Sequence, residues 1–297
     1  MKFGAVSPDQ AEGGIVVHSI RTDALVLKKG TVVGKTEVEA LKKAGIASVT
    51  VARLEPGDVS EDVAAGDIAQ AVAGEGVQVE KAFTGRSNLF AETAGVLVVD
   101  ETAIDRLNEI DPDITLATLD AFAPVVPGKM IATVKIIPFA IGGAARDAAV
   151  KVAREAAPLV RVAPYKIKKV GIVSTLLPGL ADKVIEKTLR VTADRLAPAD
   201  AKIISELRVP HETAALTRAI DQTLAGGAEL VVVFGASAIA DRRDVIPAAV
   251  EAVGGTVEHF GMPVDPGNLM LIASAKGRPI LGAPGCARSP KENGFDW

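Results

Sequence analysis

The stretch Gly235-Ala-Ser-Ala-Ile-Ala-Asp-Arg-Arg-Asp244 gathers small residues, two carboxylates and two guanidiniums in one loop. Arg242 and Arg243 stand beside the start of a helix, where a pair of guanidiniums suits a phosphate. Asp244 occupies the helix-start position, where a carboxylate caps free N–H groups. A carboxylate placed there can also hold Mg²⁺ or accept two hydrogen bonds from an amidine-like edge, and Asp241 can do the same. Gly235, Ala236 and Ser237 let a ligand approach the main chain closely, and Ser237 adds a hydroxyl. The competing explanations are ordinary ones: surface arginines, a plain N-cap, and small residues at a tight strand exit. The loop is neither a Walker A sequence nor a G-x-G-x-x-G cradle.

A second such loop is Gly282-Ala-Pro-Gly-Cys-Ala-Arg-Ser-Pro290. Ser289-Pro-Lys-Glu292 has capping-box spacing with Pro290 at the first helical position, so a helix is expected to start at Ser289. Its free N–H groups, with Arg288 beside them, can take an anion. A helix beginning so close to Trp297 reads as the cut end of a longer protein. Pro266-Gly-Asn268 is a third turn of this kind, and Gly85-Arg-Ser-Asn88 is a polar loop that can join a ligand site or simply face solvent. His18, His211 and His259 have no metal-ligand spacing. Cys286 reads as a packed free thiol.

The elements that must position these loops are legible from apolar pattern. Leu230-Val-Val-Val-Phe234 has no polar alternation and reads as a strand buried on both faces. Around it, strands are expected at 170–174, 201–207, 256–259 and 269–274. Helices are expected at Leu180–Leu196, Glu212–Leu224 and Asp244–Val253. That alternation predicts a parallel sheet with helices on both faces, with ligands at the carboxyl edge of its strands. Earlier in the chain, residues 1–57 read as a small β-rich unit. Its helix is predicted from the Thr36-Glu-Val-Glu39 capping box, with Thr36 as N-cap. Residues 58–164 read as an α+β region, and 165–297 as the α/β domain.

Composition narrows the function classes. Aromatics are 3% of the 297 residues, too few for stacked-base recognition, and the net charge of −4 with no long basic run argues against nucleic acid. One cysteine rules out an intrachain disulfide and fits a reducing cytosol. The N-terminus lacks a signal-length apolar core, and apolar runs are broken by Lys135, Pro138 or Gly235, short of the roughly 20 residues of a membrane helix. A cytoplasmic protein without a membrane partner is expected.

Residues from about 168 to 297 resemble the molybdopterin-binding domain found in molybdopterin adenylyltransferase and molybdopterin molybdenumtransferase. The likeness is carried by Gly235-Ala-Ser237, Arg242-Arg-Asp-Val-Ile-Pro247, Pro266-Gly267 and Gly282-Ala-Pro-Gly-Cys-Ala287, in that family's order. Leu27–Val33 and Leu41–Ile46 look like a segment of the molybdenumtransferase, and the whole chain looks like the N-terminal part of a fused molybdenum cofactor cytidylyltransferase-type protein. The resemblance implies a three-layer α/β/α fold in a homo-oligomer. It implies a site for molybdopterin or molybdenum cofactor, with Mg²⁺, formed by Gly235, Ala236, Ser237, Asp241, Arg242, Arg243, Asp244, Pro266, Gly267, Gly282, Pro284, Gly285 and Ser289. Asp244 would be its catalytic and metal-binding residue, and a downstream nucleotidyltransferase domain would receive the bound pterin. The sequence departs from the pattern at Ala236 and at His211, which stands where the family carries an acid tied to Mg²⁺ and nucleotide chemistry. Two alternatives therefore stay open: a chain that is itself an adenylyl- or molybdenumtransferase, and a structural or regulatory module that has lost the ligand.

Overall fold

The computed structural model describes residues 1–23, 25–156, 158–178 and 182–296. The chain divides into two compact units, Met1–Pro164 and Tyr165–Trp297. Within the described residues no helix is long and apolar enough to cross a membrane.

The first unit is built on antiparallel sheets. Lys2–Val6, Val49–Arg53 and Ile15–Val16 form one sheet in that order, with Lys35–Lys43 as its helix. Val16, Leu41, Val49 and Val51 are the centre of its core. The helix does not start at Thr36. Gly34 is the N-cap, in extended backbone, and its N–H donates to Glu37 Oε2 at 2.9 Å. The box therefore closes on Glu37 rather than Glu39, because the chain already turns into the helix at Lys35. A second sheet runs Ile114–Thr118, Met130–Ile136, Arg86–Ala91, Val77–Val79, all antiparallel. Helices Glu61–Val72 and Gly143–Glu155 bury Ile68, Val72, Ala149 and Ala153 in the core it shares.

The second unit carries the α/β fold. Its elements, numbered from the start of this unit, are β1 (Lys169–Leu176), α1 (Asp182–Leu196), β2 (Lys202–Pro210), α2 (Thr213–Ala225) and β3 (Leu230–Phe234). They continue through α3 (Val245–Ala252), β4 (Thr256–Phe260), β5 (Leu271–Ala275) and β6 (Arg278–Ala283). The expected N-terminal end of α1, Leu180 and Ala181, lies outside the described residues with Gly179, as does Trp297. The sheet order is β2-β1-β3-β6-β5-β4. The pairings β1–β2, β1–β3 and β3–β6 are parallel, and β6–β5 and β5–β4 are antiparallel. The fold is α/β with a mostly parallel sheet. Its antiparallel edge arises because Lys276-Gly277, both at positive φ, turn β5 straight back into β6 without a crossover helix.

Strand β3 shows why the sheet is covered on both sides. Val231 and Val233 enter one core with Leu216 and Ile220 of α2 and Ile246 and Val250 of α3. Val232 and Phe234 enter the other, with Leu189 and Leu196 of α1 and with Ala287 and Phe295 from the end of the chain. Residues alternate across a strand, so an all-apolar strand needs two covering layers. Three layers result.

Gly171 lies between β2 and β3, and a Cβ built there would fall on Thr223 Cγ2 of α2. Gly171→Ala is expected to destabilise the second unit by about 1–3 kcal/mol, as overpacked core substitutions do. Urea unfolding read on this variant checks it, and an unchanged midpoint would mean α2 does not seat on β1 as described.

Candidate functional site

Strand β3 ends at Phe234 and β6 at Ala283, paired side by side, so the loops that follow them leave the same sheet edge together. Between them is a hollow of about 280 Å³. Its walls are Gly235 to Ile239 from the first loop, Pro284, Gly285 and Arg288 from the second, and Val184 and Leu269 from flanking elements. This is the crevice outside the carboxyl ends of strands where open α/β sheets take ligands.

The first loop is held from below. The N–H of Ala236 donates to Thr175 Oγ1 at 2.8 Å, at the end of the neighbouring strand β1. Thr175 is fully buried and is also hydrogen-bonded to His211 Nδ1 at 2.8 Å. A Cβ at Gly235 would meet Ser237 O at 2.7 Å and Ile246 Cδ1 at 2.9 Å, so the turn closes only with glycine there. The loop is not wholly exposed: Ile239 turns inward and is buried in the α2–α3 core. The peptide N–H groups of Ser237, Ala238 and Ile239 meet no acceptor among the described residues.

The cation of the hollow is Arg288. Its Nη2 donates to the Gly235 carbonyl at 3.0 Å and its Nη1 to Thr188 Oγ1 at 3.1 Å. Its guanidinium lies over the Phe234 ring, 5.3 Å from the centroid. Among the described residues no carboxylate pairs with it. Burial pushes its pKa down from the ordinary arginine value, which still leaves it charged at neutral pH. A half-buried guanidinium held only by neutral partners keeps attraction to spare for an incoming anion.

Arg242 and Arg243, by contrast, point away into solvent, and neither lines the hollow. Arg243 Nε donates to Asp241 Oδ1 at 2.6 Å, and that guanidinium holds the Asp241 carboxyl below its usual range. Asp244 is the N-cap of α3: Oδ1 accepts from Val245 N–H at 2.7 Å and Oδ2 from Ala240 N–H at 3.0 Å. Those two N–H groups, Ala240 first, lower its pKa, with a smaller contribution from His211. The segment Ala240–Asp244 is thus folded on its own side chains, which is why its arginines turn outward. Each Asp244 oxygen accepts one backbone N–H, and no group of three His, Cys, Asp or Glu side chains among the described residues is placed to hold a metal.

The remaining expected residues divide. Pro284 and Gly285 line the hollow. Gly282 is buried beneath it, where a Cβ would press on Leu271 at 3.0 Å and Ile239 at 3.3 Å. Pro266 and Gly267 pack elsewhere: the Pro266 carbonyl accepts from Gly294 N–H at 2.9 Å, and a Cβ at Gly267 would meet Gly294 Cα at 2.7 Å. No helix begins at Ser289. It ends a single 3-10 turn, Gly285–Arg288, and its carbonyl accepts from Arg195 Nη2 at 2.8 Å. Arg195 also binds the Ala287 carbonyl and pairs with Asp296, so contacts with α1 override the local capping pattern. One residue of the site escaped assignment: Thr175, whose signal is a polar residue near the carboxyl end of a buried strand. Arg288 was expected beside an anion, but at a helix start that does not form; it reaches the hollow from the 3-10 turn that follows the last strand.

The second unit is thus a three-layer α/β unit with a hollow of small residues and one arginine at its sheet edge. A family model described as a domain of unknown function (DUF8806) matches residues 5–53. No curated protein matches the chain. Among solved structures, a molybdopterin biosynthesis protein, MoeA, from Pyrococcus horikosii aligns with 96% of this chain and 70% of its own at 12% identity and a TM-score of 0.30. The CinA protein of unknown function from Thermoplasma acidophilum aligns with 41% of this chain and 90% of its own, at 11% identity and a TM-score of 0.31. A protein provisionally assigned to molybdenum cofactor biosynthesis, from Corynebacterium diphtheriae, aligns with 40% of this chain and 82% of its own, at 19% identity and a TM-score of 0.27. Likenesses at this level say nothing about chemistry.

Asp244→Ala is expected to cost about 1 kcal/mol through loss of the α3 cap. Because the folded pKa is lowered, the carboxylate stabilises above its unfolded value and that stabilisation fades as pH falls through the folded one. Melting curves of wild type and variant should therefore differ at neutral pH and converge in acid. A gap that is constant with pH would mean the cap is not ionic.

Proposed function

We propose that the second unit binds molybdopterin, or its molybdenum form, as part of molybdenum cofactor biosynthesis. The observation that carries this is Arg288, a half-buried cation without a carboxylate partner, facing a loop whose N–H groups are unclaimed. The terminal phosphate of the pterin would lie against Arg288 and the N–H groups of Ser237 to Ile239. Oriented N–H groups and a guanidinium are the usual recognition set for a phosphate. Ser237 Oγ, exposed at the mouth, would donate to the ligand, and the walls formed by Val184, Leu269 and Pro284 would take the ring edge. A hollow of about 280 Å³ holds part of such a ligand and leaves the rest exposed. That suits a protein that presents its ligand to a nucleotidyltransferase domain, in a longer chain and in a homo-oligomer. The motif resemblance supports the same assignment, with the phosphate role moved from Arg242 and Arg243 to Arg288. Asp244 then acts by shaping the loop.

Calorimetric titration of the whole chain with molybdopterin tests this. Saturable binding is expected, weakened about tenfold or more by Arg288→Ala, the scale of one charge-assisted hydrogen bond. Ser237→Leu, on the exposed loop, should block the hollow without lowering the melting point. Absence of saturable binding by the wild type ends the proposal.

A further inference from the structure

A second hollow near charged side chains lies in the first unit. It has a volume of about 560 Å³, within the range of small-molecule sites. Lys29, Lys135 and Glu61 supply its charge, and Phe3, Ile137 and Phe139 supply apolar wall. Phe3 and Ile137 are 61% and 58% exposed, so two large apolar side chains face this hollow rather than either core.

The three charged groups are not spent on one another. Lys135 is half-buried at the end of its strand, and its Nζ donates to the Thr84 carbonyl at 2.6 Å. Lys29 Nζ lies 5.4 Å from the centre of the Phe139 ring. Neither ammonium has a carboxylate within ion-pair distance among the described residues. The Glu61 carboxylate accepts no hydrogen bond there, although both lysines act on it electrostatically. Its pKa is raised, with burial as the main cause. Thr84 and Gly85 both have positive φ, 50° and 70°. For a β-branched residue that backbone is costly, and here it turns the Thr84 carbonyl to Lys135. A Cβ at Gly85 would strike Glu61 Oε2 and come within 2.9 Å of Lys135 Nζ, so the turn is pressed directly against the charged group.

We propose that this hollow binds a small organic oxyanion with an apolar body, its head between Lys29 and Lys135 and its body on Phe3, Ile137 and Phe139. Among the side chains that line the hollow, two ammoniums face one carboxylate; Asp62 nearby already accepts the Gly85 N–H, and the Met1 ammonium is paired with Glu55 and Asp58. Glu61 beside the two lysines favours a head that brings its own hydrogen-bond donor, or a protonated Glu61. A carboxylate and a phosphomonoester share this chemistry. The inference concerns the first unit and is independent of the pterin assignment.

Titration of the full chain with benzoate and with phenyl phosphate separates the two heads; benzyl alcohol and inorganic phosphate serve as body-only and head-only controls. At least one of the two aryl anions should bind saturably at millimolar concentration or below, with both controls about tenfold weaker or worse. Lys29→Ala, on an exposed turn, and Lys135→Ala should each weaken the bound anion about tenfold. Glu61→Gln should tighten it at neutral pH, by removing a negative charge beside the head. The proposal is overturned if neither anion saturates, if benzyl alcohol binds as well as the anions, or if Lys29→Ala, shown to be folded by its melting curve, binds like the wild type.

Discussion

Strand β3 is covered by α2 and α3 on one side and by α1 and the end of the chain on the other, so the backbone groups along both its edges must be hydrogen-bonded within the sheet. Parallel pairing with β1 and β6 meets that demand. It also brings three strand ends, Thr175, Phe234 and Ala283, to one place. A polar loop can leave such an edge only if its backbone groups find partners or water. Ala236 takes its partner from Thr175, Gly235 gives its carbonyl to Arg288, and the next three N–H groups meet no acceptor among the described residues. The site is a by-product of how a two-sided strand ends.

The two halves of the β3–α3 loop do opposite things with their hydrogen-bonding capacity. Ala240–Asp244 is closed on itself by two aspartates, one capping α3 and one holding Arg243. Gly235–Ile239 makes few internal bonds and is fixed instead by neighbours distant in sequence, Thr175 and Arg288. The self-closed half is rich in charge yet has little left for a ligand. The half that depends on distant neighbours is poor in charge and keeps its donors available. Charge density along the chain and capacity for binding are thus separated by a few residues.

This separation explains what the sequence could and could not show. The two-faced strand, the α/β alternation and the capping role of Asp244 follow from local patterns, because burial periodicity and helix caps are local physics. The mostly parallel sheet was legible for the same reason, while its antiparallel edge depended on one tight turn at Lys276-Gly277. The cation of the hollow was only partly legible: Arg288 was placed beside an anion, but the leading role went to another pair. Arg242 and Arg243 form the conspicuous pair, but which guanidinium faces inward is decided by Phe234 and Thr188, far along the chain. The helix expected at Ser289 failed similarly. Its capping box is sound as a local signal, and Arg195 outbids it by binding two carbonyls and Asp296. Thr36 gave way to Gly34 for a smaller reason, a shift within one turn.

Thr175 has one further consequence. Its hydroxyl is fully buried and already accepts the Ala236 N–H, so its own hydrogen needs an acceptor, and His211 Nδ1 at 2.8 Å is the one in reach among the described residues. In the neutral imidazole this places the ring proton on Nε2. The loop's backbone geometry therefore selects the tautomer of a histidine just past another strand's end, and leaves its Nε2–H as a donor.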